Sequence, residues 1–152
     1  MPGQSEYIVG NIALLKLLKL QDLVFNPTDE LSVKLNLGRD DEGIPYLRGQ
    51  IQGEIEVSCQ RCLERLKLNI ASQFSLSPVA EDHLVLPAQY DPIIAEEGQI
   101  QLIDLVSEEI LLSMPMIASH PEDACPGTQW LKTHQQKVNE ETHPFHILKQ
   151  LK

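Results

Sequence analysis

Much of what would let this chain transform a substrate is missing. Its eight glycines form no phosphate-binding loop, and neither G-x-S-x-G nor H-E-x-x-H occurs anywhere in the 152 residues. Carboxylates such as Glu108 and Glu109 are adjacent on a predicted helix, so their side chains diverge instead of sharing a proton. A non-enzymatic protein is expected. Long hydrophobic runs are missing too. The richest, IALLKLLKL at 12–20, is short and carries Lys16 and Lys19, which excludes a membrane span there. The opening MPGQSEYIVGN has an acid and no basic region, so no secretory leader is expected. Only three cysteines are present, an odd count that fits a reducing cytoplasm where thiols stay free or bind metal. A soluble, cytoplasmic protein with no membrane contact is the expectation.

The most telling lack is of positive charge. Between Lys67 and Lys132 there is no lysine or arginine, while the same stretch holds ten acids: Glu81, Asp82, Asp91, Glu96, Glu97, Asp104, Glu108, Glu109, Glu122 and Asp123. The remaining twelve acids and twelve bases cancel, so the whole net charge of −10 lies in one continuous segment. Such a segment is a poor nucleic-acid surface, because binding phosphate requires cations that displace counterions. It is either a solubilising surface or a docking face for a basic protein.

What is present reads as one domain of ordinary size. Residues 30–37, ELSVKLNL, place Leu31, Val33, Leu35 and Leu37 on one face. RGQIQGEIEVSC does the same with Ile51, Ile55, Val57 and Cys59, and RLKLNIASQFSLS with Leu66, Leu68, Ile70, Phe74 and Leu76. These three runs are predicted antiparallel strands, the first two joined by a turn at RDDEGIP through Gly43 and Pro45. Gly49 and Gly53 inside the second strand point to a bulge or bend. From 102 to 114 the period changes: apolar residues at 102, 103, 106, 110 and 114 oppose acids at 104, 108 and 109, and Pro115 ends the run. The predicted fold class is therefore α+β, a curved antiparallel sheet or small open barrel packed by one amphipathic helix. Residues 1–120 form the expected globular domain. Residues 121–152 are polar and are expected to be extended or partly disordered, ending in a short apolar segment at 145, 148 and 151.

The pair in VSCQRCLERL is the one candidate for chemistry. Cys59 continues a buried strand face and Cys62 follows at the bend, which places both at a hairpin tip, the geometry of a zinc knuckle. His120 and Cys125 in HPEDAC would complete a set of Cys59, Cys62, His120 and Cys125 for one zinc ion. The competing reading makes Cys59 a core hydrophobe and the other two plain thiols, with no cofactor. Redox chemistry is less favoured, since a reactive C-x-x-C sits at a helix N-terminus that stabilises its thiolate.

Four ordered motifs then carry a resemblance: CQRCLERL, LPAQYDPI at 86–93, LIDLVSEEILLSMPMIASHPEDAC, and the terminal HPFHILKQLK. From about residue 46 onward the chain resembles the YceD family of bacterial large ribosomal RNA subunit accumulation proteins, with His143 where the family usually has asparagine. Relatives with a second C-x-x-C exist; here His120 and Cys125 occupy that region. The resemblance implies a non-catalytic role in making or retaining large-subunit ribosomal RNA during ribosome assembly. Its implied partners are a large-subunit ribosomal protein or a pre-ribosomal particle. Set against that role, the acidic 68–131 segment would be repelled by RNA and attracted to a basic ribosomal protein, with Glu96, Glu97, Glu108 and Glu109 as the expected contacts. RNA would approach only at the basic group Arg48, Arg61, Arg65 and Lys67, expected near the hairpin tip. The alternative is a small zinc-binding or thiol-redox protein built on Cys59 and Cys62.

Overall fold

A computed structural model describes residues 5–80 and 85–135. Alternation of apolar and polar residues sets up its centre, a hairpin of two long strands, β3 (Pro45–Ser58) and β4 (Arg65–Val79). Their register runs without interruption from Leu47 opposite Leu76 to Ser58 opposite Arg65. On the inner face Leu47, Ile51, Ile55 and Val57 meet Leu66, Ile70 and Leu76, all buried. β1 (Glu6–Ala13) and β2 (Glu30–Arg39) extend the sheet antiparallel on one side, and β5 (Asp91–Ile94) adds to β4 in parallel on the other. The order β1-β2-β3-β4-β5 leaves both edges open, so the sheet does not close into a barrel. The parallel strand is the departure from the all-antiparallel expectation. Four residues are too few to show a period of two, and Pro92 is tolerated because the strand lies at an edge.

Gly49 makes no bulge, since both ladders of β3 keep constant register past it; at Gly53 the ladder to β4 continues unbroken, while the ladder to β2 ends one residue before, at Gln52. Both glycines make room instead. A Cβ on Gly49 would lie 2.0 Å from Cζ of Phe74 on the facing strand, and one on Gly53 would lie 2.4 Å from Cδ2 of Leu31. The Phe74 ring thus fills the space its glycine partner leaves.

One sheet face is covered by two elements. LLKLLKL folds into two single-turn 3-10 helices, Leu14–Lys16 and Leu18–Leu20. Because 3-10 geometry repeats every three residues, Leu14, Leu17 and Leu20 align and are all fully buried. Each such leucine contributes about 1.5–3 kcal/mol through burial. The second cover is α1 (Leu102–Ser113), which buries Leu105, Val106 and Ile110; Lys19 on the 3-10 segment reaches Glu108 on α1 at 2.6 Å. Leu105 takes the inward place expected of Ile103, which is 48% exposed. The main cluster lies at the hairpin-tip end, with a smaller one of Leu35, Leu47, Leu76 and Leu105 farther along.

A second helix, α2 (Pro126–Gln135), occupies part of the stretch expected to be extended. Pro126 suits a first helical position, and Trp130 stacks on His134 one turn later with ring centroids 4.1 Å apart. Polar composition had hidden a helix anchored through a single buried residue, Cys125, at its start. The remainder of the expected tail, from residue 136 and including the 145–151 segment, lies outside the described residues.

The close approach at Gly49 gives a direct test. Gly49→Ala is expected to destabilise the protein by about 2 kcal/mol in urea unfolding, because the added methyl must displace the Phe74 ring. Unchanged stability would contradict this packing.

Candidate functional site

The β3–β4 turn spans Cys59 to Glu64 and is closed by main-chain bonds: Leu63 N–H to Cys59 O and Cys59 N–H to Glu64 O, both 2.8 Å. Leu63 takes a left-handed φ of 63° to complete it. After α1 the chain returns to this tip. Gln60 N–H donates to Ala118 O at 2.8 Å, which brings His120 and Cys125 against the turn. Gly127 in the first turn of α2 allows the same approach, since a Cβ there would lie 2.9 Å from Arg61 O. The structure thus gathers all four sequence-predicted ligands, with donor atoms within 4.8 Å of one another. Cys59 and Cys125 are buried; Cys62 and His120 are half-buried.

The surroundings favour thiolate. Burial alone would push the Cys59 thiol up, but the main-chain N–H groups of Cys62, His120 and Arg61 outweigh it and bring it down to about 5. For Cys125 burial is likewise outweighed, here by the Thr128 and Gly127 N–H groups, so its value also falls. Those amides belong to the N-terminus of α2, a helix dipole that could not be foreseen without the helix. His120 is raised, chiefly through its bond to the Cys59 sulfur. Cys62 is raised too: the Glu64 N–H lowers it, and burial together with the neighbouring Cys59 and Cys125 prevails.

A second feature lies between β5, the turn after it and α1. Residues 96–99 make a tight turn in which Glu97 (φ 51°) and Gly98 (φ 75°) are both left-handed and Gln99 N–H donates to Glu96 O at 2.9 Å. The turn stands beside α1 and encloses a groove of about 750 Å³. Glu96, Glu97, Asp104 and Glu108 border it, and Ile93, Ile94, Ile100 and Leu105 supply its apolar lining. Three of the four predicted partner-binding acids therefore share one groove. Glu109 does not; it faces β4, where the Ser72 hydroxyl donates to it at 3.4 Å. Asp104 takes its place, and the signal was the spacing 104 and 108, one turn apart on a helix. Glu108 is paired with Lys19, while Glu96, Glu97 and Asp104 have no cationic partner among the described residues.

Of the predicted basic group, Arg61, Arg65 and Lys67 lie at or beside the hairpin tip and Arg48 does not. Arg48 lies ten positions along β3 from Ser58, roughly 33 Å at ~3.3 Å per residue, so it is remote from the tip. It sits over the Tyr46 ring at 4.6 Å and donates to the Tyr90 hydroxyl at 3.2 Å, which in turn donates to Asp40 at 3.0 Å. That network joins the Tyr-Asp-Pro stretch to the β2–β3 turn. Arg61 donates to Thr128 Oγ1 at 2.6 Å and to Ser119 Oγ and His120 O at 2.9 Å, fastening α2 and its approach to the tip. Arg65 pairs with Glu56 at 3.3 Å and Lys67 with Glu54 at 2.8 Å. Each of the four cations has a partner within the chain, although Arg65 and Lys67 remain largely exposed.

The family described as large ribosomal RNA subunit accumulation protein YceD matches residues 47–152, a span that contains the cysteine–histidine cluster and the groove. The large ribosomal RNA subunit accumulation protein YceD of Haemophilus influenzae is 30% identical over 150 residues, 95% of this chain and 86% of the relative. No solved structure matches the chain.

Glu109 provides a pH test of the α1–sheet contact. Burial raises its carboxyl, the Ser72 bond lowers it, and the charges of Asp91 and Glu108 raise it further, for a net upward shift. Its folded form holds the proton more tightly than the unfolded chain, so stability falls as pH rises through the ordinary carboxyl range, and the ionised group is a liability at neutral pH. Glu109→Gln is expected to raise Tm by about 1–2 °C at pH 7, with the gain vanishing below about pH 4. A lower Tm at pH 7 would contradict the assignment.

Proposed function

We propose, since the chain belongs to the YceD family of large ribosomal RNA subunit accumulation proteins, that it supports large-subunit ribosomal RNA accumulation by binding, without catalysis, a basic large-subunit ribosomal protein. The observation that carries this reading is the groove between the 96–99 turn and α1. Three carboxylates without cationic partners among the described residues border an apolar lining. Such a groove suits a segment that alternates lysine or arginine with aliphatic side chains. The carboxylates would steer and orient it, and the apolar lining would bury what lies between its charges. A polyanion would be repelled from the same surface. Arg48 and Arg61 are engaged by Tyr90 and Thr128, and Arg65 and Lys67 form surface pairs with Glu56 and Glu54, so none of the four is without a partner, which supports a protein partner over ribosomal RNA. Binding its partner before assembly would keep a basic protein from untimely contact with RNA. In this reading the protein works in the cytoplasm, where the large subunit is assembled. Among the described residues no helix is long and apolar enough to cross a membrane.

Charge reversal tests the groove. Changing Glu96, Glu97 and Asp104 to Lys should reduce capture of a basic large-subunit protein at least about 10-fold, since the reversed charges repel the segment they now attract. The same charge change at Asp41, Glu42 and Glu122, exposed positions outside the groove, should leave capture intact. Nuclease treatment should not release the bound protein. Equal effects of the two triple variants, or complete release by nuclease, would refute a protein-binding groove.

A further inference from the structure

Two donor–donor separations in the cluster at the hairpin tip are close to those of a coordination shell, and all four donor atoms lie within 4.8 Å of one another. Zinc bound at ~2.3 Å to sulfur and ~2.0 Å to nitrogen in a tetrahedron sets sulfur–sulfur edges of ~3.8 Å and sulfur–nitrogen edges of ~3.5 Å. Here Cys59 Sγ and Cys125 Sγ are 4.0 Å apart, and Cys62 Sγ and His120 Nδ1 are 3.4 Å apart. A disulfide needs ~2.05 Å between sulfurs, about half the Cys59–Cys125 separation. All three cysteines are free.

The histidine is oriented for the task. Its Nε2 lies 3.0 Å from Arg65 O. A carbonyl oxygen only accepts, so Nε2 carries a ring proton, and in the neutral ring the Nδ1 lone pair is turned toward Cys62 Sγ. The His120 main-chain N–H also donates to Cys59 Sγ at 3.5 Å, a bond that supports a ligating sulfur. These are outer contacts of the kind that fix a metal ligand's orientation before the ion arrives.

We propose that Cys59, Cys62, Cys125 and His120 Nδ1 hold one Zn²⁺ as a closed, four-coordinate structural clamp between the β3–β4 tip and the start of α2. Three sulfurs and one nitrogen complete a tetrahedron, which leaves no position for a substrate. On binding, the thiol protons pass to solvent and three thiolates face the ion. The clamp joins segments 66 residues apart in sequence, Cys59 and Cys125, where Arg61 already bridges the same two segments through Ser119, His120 and Thr128. It stands independently of the groove and its partner.

The full chain, purified under reducing conditions without chelator, tests this. We expect about one equivalent of zinc per chain. Replacement by Co²⁺ should give intense tetrahedral d–d absorption with thiolate-to-cobalt charge transfer. Cys62→Ser and Cys125→Ser should each fall below about a tenth of an equivalent, whereas His120→Cys, which substitutes one good zinc ligand for another, should retain the metal. Adding a chelator should speed proteolysis within 114–124, the stretch that connects α1 to the clamp. Two results would each overturn the proposal. One is less than about a tenth of an equivalent in the unaltered protein with no tetrahedral cobalt spectrum on addition of Co²⁺. The other is full zinc retention by both serine variants.

Discussion

Pairing of β3 with β4 is the constraint on which the other elements depend. Strands of 14 and 15 residues in unbroken register present one long apolar face, and that face is wider than one three-turn helix can cover. The 3-10 segment with Leu14, Leu17 and Leu20 covers the part nearer β2, and α1 covers the part over β4. The hairpin turn then receives the chain as it leaves α1, through the Gln60–Ala118 main-chain bond and the three hydrogen bonds of Arg61. The cluster and the groove are therefore placed by the same hairpin: one at its tip, the other beside its far end, where β5 pairs with residues 76–79 of β4.

This arrangement separates scaffolding from recognition by charge. The cations of β3 and β4 are engaged in cross-strand pairs and in the Tyr46–Arg48–Tyr90–Asp40 network, where burial would raise the Asp40 carboxyl but the Ile44 main-chain N–H, followed by the Tyr90 hydroxyl, holds it below its usual range. Exposed ion pairs of this kind contribute little to stability. Among the described residues, the carboxylates of the 96–99 turn and α1 are mostly left without such partners. Glu97 adopts a left-handed backbone where glycine or asparagine would be easier, a local cost of about 1 kcal/mol that keeps a second carboxylate at the groove's rim.

Periodicity made the centre of this fold legible. Three alternating runs became β2, β3 and β4 nearly residue for residue, and the 102–114 run became α1 with a small rotation toward Leu105. Elements without a period stayed hidden. β1 exposes most of its residues on both faces, β5 has four residues, and α2 has one buried anchor just before it. The four metal-ligand candidates were legible because residue type alone identifies them, and the fold brought them together as proposed from the sequence. The acid groove was half legible: composition located the charge and the spacing 104 and 108 put Asp104 on the helix face of Glu108, but only the fold shows that the 96–99 turn brings Glu96 and Glu97 to that face and that Glu109 lies elsewhere. Of the basic group, only Arg48 lies away from the tip, because proximity in sequence to the hairpin does not measure distance along a strand.

The most direct measurement of the central claim is site-specific photo-crosslinking in growing cells. A photoreactive amino acid at Gln101, an exposed position lining the groove, should form adducts with a basic protein of the large ribosomal subunit. The same group at Gln73, exposed on the opposite face of the sheet, should not. Adducts to that protein from Gln73 and none from Gln101 would contradict the account.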